Sequence, residues 1–508
     1  MMKKLAVTTA VISGILAVSF TASAQYRTDG EAVNTEVQAI LDEADSAEEP
    51  VVITLEEALK IGLSENVSVK VADMEIERTG FAKKGTYAAL FPQIDASGSF
   101  QRTIKKQVMY MDFDMGALGG AAGGGSAEGG ELPDGGELPD GVEIPDASAD
   151  AGASSNGGGF EVGRWNNWSA GVSASMPLVN AQLWKSLKIS GLDVELAVEK
   201  ARSSRLDMVT QVKNAYYSVL MAKEAFDVYR QVYDNAMQNL AETQKKYDAQ
   251  KASEMDLIRA KTTVANAIPN VYNAESSVIL GLWQLKAVLG VDLDMNLDVA
   301  GKLADYADQM MRDINEGEDV SLDHNTTMKQ LAIQAEMLAE TIKVQQYANI
   351  PSLAVAFNFS LNAMTNDFKF SQYRWTPYSF VALSLNIPIF AGGKRHQQIR
   401  QAKNQYEQVQ LQVTNTERQL KIAIRQSLAS METNMKSYYA AQDAVAAAQK
   451  GYDITEVSYK VGRSTLIELN DAQLALTQSR LAESQAIFNF LTAKAQLEQT
   501  LGQDFINE

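Results

Sequence analysis

The chain of 508 residues has no cysteine and only two histidines, His324 and His396. The first absence excludes disulfides, thiol nucleophiles, cysteine-ligated metals and an N-terminal lipid-anchored cysteine. The second means that a histidine-rich metal site or an ordinary histidine-dependent triad would need both residues in one place. No nucleophile–base constellation is legible, so the expectation is a protein that is not an enzyme and carries no cofactor and no metal. Positive charge is scarce as well: 45 Lys and Arg stand against 63 Asp and Glu, a net −18. That balance argues against nucleic acid bound through an extended basic surface. After the first residues there are also no runs of about 18 uncharged apolar residues, so hydropathy reveals no transmembrane helix in the mature chain.

What is present begins with an address. Lys3 and Lys4 precede the apolar run Leu5 to Phe20 and then Ala22-Ser23-Ala24, the order of a cleaved secretory signal. Residues 1–24 are therefore expected to be removed, leaving Gln25 at the front.

The rest of the chain repeats itself. Asn66 to Phe100 aligns without a gap on Asn325 to Phe359, an offset of 259. Ser169 to Leu178 aligns on Phe380 to Ile389 at an offset of 211, and Val212 to Gly290 on Ile424 to Gly502 at 212. Duplicated units of this kind read as one structural module used twice. The expected organisation is a first repeat over 25–290, an inter-repeat segment over 291–324, a second repeat over 325–502 and a tail over 503–508. The fall from 259 to 211 puts 48 extra residues in the first copy between Phe100 and Ser169. Between Gly116 and Gly159 this insertion is mostly Gly, Ala, Ser, Asp and Glu, a composition that buries too little apolar surface to offset its ordering entropy. An acidic, solvated loop is expected there; calcium binding by its carboxylates is the other reading.

Within each repeat the period changes twice. Glu56 to Leu90 is helical in pattern, with Thr54 and Glu57 spaced as a capping box. Past Pro92 the period becomes two, with Ile94, Ala96, Gly98 and Phe100 on one side, and Leu353, Val355, Phe357 and Phe359 in the second copy. Second strands follow, carrying Ala170, Val172, Ala174 and Met176, then Val381, Leu383, Leu385 and Ile387. Strands are thus expected over 91–103, 167–178, 350–363 and 378–389, with a loop over 104–166. Alternation of apolar with small or polar residues suits a membrane barrel around a wet lumen, and equally a soluble sandwich. Trp165, Trp168, Tyr373, Trp375 and Tyr378 cluster at the strand ends, as an interfacial girdle would. Four strands are too few to close a barrel, for which about eight is the minimum, and an open edge is not tolerated in hydrocarbon. If these strands span a membrane, several copies must share one barrel.

The remaining mass is long helix. Ala181 to about Tyr247 and Lys394 to Val461 contain no proline, and at ~1.5 Å per residue each reaches roughly 100 Å. Such helices must pack laterally, in coiled-coil fashion. Each turns near Tyr247 or Tyr459 and returns through a shorter helix ending at Leu289-Gly290 or Leu501-Gly502, so the helical hairpins cover 181–290 and 391–502. Pro269 is expected to kink the first returning helix.

Taken together these motifs resemble the TolC family of outer-membrane efflux channels over nearly the whole mature chain. The matching segments are Ile53-Thr54-Leu55-Glu56-Glu57-Ala58-Leu59, Leu90-Phe91-Pro92, Met176-Pro177-Leu178 and Tyr459-Lys460-Val461-Gly462-Arg463-Ser464-Thr465-Leu466-Ile467-Glu468-Leu469. The resemblance implies a mainly α protein with a transmembrane β part, a homotrimer sharing a twelve-stranded barrel in outer-membrane lipid and continued by a periplasmic helical barrel. It implies a passive duct that meets a periplasmic adaptor (membrane fusion protein) and an inner-membrane pump of RND, ABC or MFS type. By residue, Glu468 and Asp471 match carboxylates that ring the narrow periplasmic end. Asp256, Tyr459 and the Arg463 region match a latch, although the arginine position itself falls on Ser464. Tyr247, Gln250, Ser253, Gly462 and Thr465 fall at the hairpin tips where an adaptor would dock. Three like charges about one axis would favour cations and resist constriction. Read without the resemblance, Asp256, Glu468 and Asp471 are also what a solvated helix face looks like, and the tips are ordinary turns.

Overall fold

A computed structural model of the chain describes residues 50–109, 160–307, 310 and 321–503. The signal segment over 1–24, the acidic stretch 116–159 and most of the tail lie outside them. The elements follow in the order β1 (Val51–Ile53), α1 (Leu55–Glu65), α2 (Val67–Ala88), β2 (Gln93–Arg102), β3 (Gln107–Met109), β4 (Phe160–Val162) and β5 (Asn166–Val179). Then come α3 (Ala181–Asp248), α4 (Glu254–Leu289), β6 (Leu297–Val299), α5 (Thr326–Tyr347), β7 (Ser352–Thr365), β8 (Thr376–Asn386), α6 (Lys394–Lys460) and α7 (Leu466–Leu501). They divide into a helical unit, drawn from the described parts of Met1–Ala88, Ala181–Ile350 and Pro388–Glu508, and a sheet unit of Ala89–Asn180 and Pro351–Ile387.

In the helical unit α3 and α6 are 68 and 67 residues long. Each runs antiparallel to its returning helix, α4 or α7, both of 36 residues. The capping box at the start of α1 is present: the Glu57 amide donates to Thr54 Oγ1 at 3.3 Å and the Thr54 amide to Glu57 Oε2 at 2.7 Å. The continuous helix expected over Glu56 to Leu90 is instead two helices, because Asn66 is extended (φ −60°, ψ 127°). Its side chain accepts from the Ser68 amide at 2.8 Å and donates to the Val288 carbonyl at 2.7 Å. The second repeat does the same with Asn325, which accepts from the Met328 amide at 2.8 Å and donates to the Thr500 carbonyl at 2.6 Å. Asn66 and Asn325 thereby serve the orphan groups of two helix ends at once. Gly290 (φ 81°) and Gly502 (φ 71°) end the returning helices against these asparagines, in a left-handed conformation suited to glycine. The first returning helix continues through Pro269 without interruption.

The main core lies where these ends meet. Ile53, Ile61, Met208, Tyr216, Leu220, Leu289, Ile424 and Phe490 are buried together there, beside a two-stranded parallel sheet of β1 and β6. The Tyr216 hydroxyl is shared between the carbonyls of Ala300 at 2.7 Å and Ile53 at 3.2 Å. Above this core α5 is pinned to α3 by charge. The carboxylate of Glu340, 2% exposed, lies 3.1 Å from Lys185, 3.0 Å from Lys188 and 2.9 Å from Lys343. The hydrogen bond from Lys343, with those from Lys188 and Lys185, outweighs burial and holds Glu340 down to about 2.

The sheet unit holds one four-stranded antiparallel sheet in the order β2-β5-β7-β8, and a small hairpin of β3 with β4 that periodicity alone did not suggest. The last strand stops at Asn386, short of the expected 389, and Ile389 and Phe390 follow it fully exposed.

Candidate functional site

Two regions carry the chemistry, and the first is the sheet. Residues facing each other across antiparallel strands point to the same side, so the register decides how the four alternating patterns combine. Ile94, Ala174, Phe357 and Val381 form one rung, Ala96, Val172 and Phe359 run through the next, and Met176, Val355 and Leu383 through another. Every apolar stripe therefore falls on the same face. The other face carries Asp95, Ser173 and Asn358 in one rung and Ser99, Ser169 and Asn362 in another, with the two serine hydroxyls 2.7 Å apart. Val381, Ile94 and Leu383 are 72%, 70% and 66% exposed. No second layer covers the apolar face among the described residues. Strands β2 and β8 each pair on one side only within those residues.

Aromatic rings gather at one end of the sheet. Phe100 lies 4.3 Å from Trp168, Trp168 is 4.9 Å from Phe370, and Phe370 is 5.0 Å from Tyr373. Lys106 sits 4.9 Å above the Trp165 ring. Amphipathic rings and cations at the rim of an apolar band suit a membrane interface. Phe100, Phe368 and Phe370 belong to this cluster, although their place in the sequence did not mark them.

The second region is the pair of hairpin tips. Both α3 and α6 end in the same motif, with Lys251 N–H to Lys246 O at 2.7 Å and Arg463 N–H to Ser458 O at 2.8 Å. The residue in the left-handed conformation is Gly462 (φ 77°) in one and Gln250 (φ 57°) in the other. Gln250 is the one described residue other than glycine with positive φ, a mild local strain. The next helices begin with matching capping boxes. Ser253 accepts from the Asp256 amide at 3.1 Å and donates to its Oδ2 at 2.7 Å. Thr465 accepts from the Glu468 amide at 3.3 Å, while its own amide donates to Glu468 Oε2 at 2.8 Å. Bonds from the Thr465 amide and then from the Ser464 and Thr465 hydroxyls hold the exposed Glu468 carboxyl below its usual range.

The tips are tied to each other by Tyr459. Its hydroxyl meets Thr243 Oγ1 at 2.7 Å, while Lys246 lies 4.3 Å from its ring centre and donates to its carbonyl at 3.0 Å. Around it Tyr452, Leu466, Leu469, Leu476 and Ala260 are buried as a separate cluster.

A family model described as outer membrane efflux protein matches residues 145–291 and 319–503, well over half of the chain. The chain belongs to the outer membrane efflux protein family. It is 20% identical to the outer membrane protein TolC of Escherichia coli over 347 residues, 66% of this chain and 70% of that one. It is 21% identical to the proteases secretion protein PrtF of Dickeya chrysanthemi, over 66% of this chain and 73% of the relative. The crystal structure of the Campylobacter jejuni CmeC outer membrane channel matches with a TM-score of 0.62 at 15% identity, covering 91% of both chains. The fold is thus that of TolC-like channels, and the chain is an outer-membrane protein with its helical part in the periplasm.

Within that frame the residues singled out by resemblance fall as follows. Glu468 and Asp256 are the third residues of their helices and close the two capping boxes, so each carboxylate already holds a helix start. Asp471 is exposed one turn further along α7. Tyr459 is bonded to Thr243 and Lys246, not to Asp256 or Arg463. Arg463 is exposed and forms no ion pair among the described residues. Thr243 and Lys246 are the partners that motif reading missed.

Proposed function

We propose that the chain is one subunit of a trimeric outer-membrane channel, the passive exit duct of a tripartite efflux or type I secretion system. The observation that carries this is the four-stranded sheet with one predominantly apolar face, one face of mostly small and polar residues, and two edges that pair with no further strand among the described residues. Such a sheet is stable in a bilayer only when sister copies complete it, and three copies give twelve strands. An adaptor docks on the exposed tips around Tyr247, Gln250, Ser253, Gly462 and Thr465, and an inner-membrane pump supplies the energy. The returning helices rotate to open the periplasmic end, where Glu468 and Asp471 form acidic rings with Asp256, Tyr459 and Arg463 in the latch. Cargo selectivity comes from the pump, because the lumen-facing side of the sheet offers mostly small and polar residues.

Heat-labile trimers well above the 55.4 kDa of one chain on mild gel electrophoresis, with single-channel steps in planar bilayers, are the expected result. A strictly monomeric detergent extract with no conductance would instead indicate a non-conducting periplasmic coiled-coil scaffold. Replacing Glu468 and Asp471 together by alanine is expected to reduce block by multivalent cations; unchanged block returns both residues to a purely structural part.

A further inference from the structure

The joint between the two repeats inside one chain is a template for the joint between chains. Helix α5 packs on α6 of its own repeat and on α3 of the other, whereas its counterpart α2 packs chiefly on α3 and leaves Val71, Met74 and Phe81 exposed. Shifting each partner of an internal contact by the repeat offset names the residues that would form the missing one.

At the tips the internal contact is Thr243 with Tyr459. Shifting by 212 in opposite directions gives Thr455 and Tyr247, the same two residue types. Thr243 donates its proton to the Asn239 carbonyl at 2.8 Å, so its oxygen accepts from the Tyr459 phenol. Thr455 donates to the Gly451 carbonyl, also at 2.8 Å, and Gly451 is the counterpart of Asn239. Its oxygen is therefore already set as an acceptor, while Tyr247 is exposed and has no side-chain hydrogen bond among the described residues. At the other end of α3, Lys188 pairs with Glu336 at 2.9 Å and with Glu340 at 3.0 Å; the counterpart of Glu340 is Phe81, so only the Glu336 pairing carries over. The counterparts are Arg400 and Glu77, opposite in charge, both exposed and unpaired among the described residues. The middle does not follow the template: Lys213 with Glu498, 2.9 Å apart, maps onto Arg425 and Lys286, two like charges. The joint is thus made at its ends.

One residue of the internal tip contact has no equivalent. Lys246, which clamps the ring and carbonyl of Tyr459, corresponds to Ser458, too short to do either. We propose that neighbouring copies join head to tail through Tyr247 of one and Thr455 of the next, with Glu77 and Arg400 paired at the far end. The unclamped tip contact between copies releases first on opening, leaving Thr243 with Tyr459 intact. A heterologous contact of this kind closes into a ring, and the proposal rests on the trimeric reading above.

The absence of cysteine makes the test clean. In the full chain, Tyr247→Cys with Thr455→Cys treated with a short bismaleimide should give covalent dimers and trimers on denaturing gels, while Thr243→Cys with Tyr459→Cys should stay monomeric. Glu77→Arg should lower the dissociation temperature of the trimer, and adding Arg400→Glu should restore it. Ser458→Lys should cut channel opening several-fold in planar bilayers, with Ser458→Met near wild type. Trimers that form without the Tyr247–Thr455 crosslink overturn the pairing and spare the trimeric reading; absence of any trimer removes both. Crosslinked trimers in which Ser458→Lys opens normally overturn the order of release.

Discussion

Glu340 and Phe81 occupy the same place in the two repeats and live in opposite surroundings. Glu340 is ringed by three lysines and 2% exposed, whereas Phe81 is 66% exposed. Tyr459 and Tyr247 differ in the same sense, 8% against 37% exposed. One module has been placed in two environments, and its second copy finds within the chain the neighbours that its first copy lacks. The difference marks which surface the chain covers for itself and which it leaves exposed.

The sharpest probe of the completed side is the pair of helix ends. A Cβ on Gly502 would run into the His324 carbonyl, and one on Gly290 would lie 2.8 Å from the Glu65 carbonyl, both at positive φ. Gly502→Ala is expected to cost about 3 kcal/mol and Gly290→Ala about 2, read from denaturant unfolding in detergent. Equal stability in all three proteins would mean that these ends are not closely packed. Next is Glu340→Gln, expected to cost about 2 kcal/mol because it leaves three lysines without their shared carboxylate, while Phe81→Gln costs the isolated subunit next to nothing. Because the Glu340 carboxyl is depressed in the fold, its contribution is present above its ordinary value of 4.5 and lost as pH falls towards 2. A melting temperature that falls over this acid window in the wild type but not in Glu340→Gln is the check. At the tips, Tyr459→Phe removes a buried hydrogen bond and should cost about 1 kcal/mol, with Tyr247→Phe neutral in dissociated subunits; equal losses would erase the distinction between the two tyrosines. The smallest effect is Gln250→Gly, which relieves the left-handed strain and should stabilise by just under ~1 kcal/mol. A destabilised Gln250→Gly would show that its side chain makes a contact worth more than the strain.

Much of this was legible from residue order. The capping box at Thr54 and Glu57, the period-two stripes and the lengths of α3 and α6 follow from local rules that act over a few residues. The break at Asn66 was not, because its cause is the Val288 carbonyl, 222 positions away. Nothing local marks Lys185 and Lys188 either, because their partner Glu340 lies on α5, 152 positions beyond Lys188. For the site, Glu468 and Asp256 were singled out as acids at the tips, and their use in the capping boxes was visible in Ser253-x-x-Asp256 and Thr465-x-x-Glu468. Thr243 and Lys246 were not singled out, since nothing in a helical heptad says which face meets another hairpin.

The amino-acid order by itself settled the duplication, the alternation within each strand and the reach of each helix, because these depend on periodicity and short-range capping. Tertiary structure decided that all four apolar stripes share one face, since register between strands as far apart as Ala174 and Phe357 is set by pairing and not by alternation. It also decided that Tyr459 is enclosed while Tyr247 stays open, because enclosure requires a second hairpin, and one chain supplies that hairpin to only one of its two tyrosines.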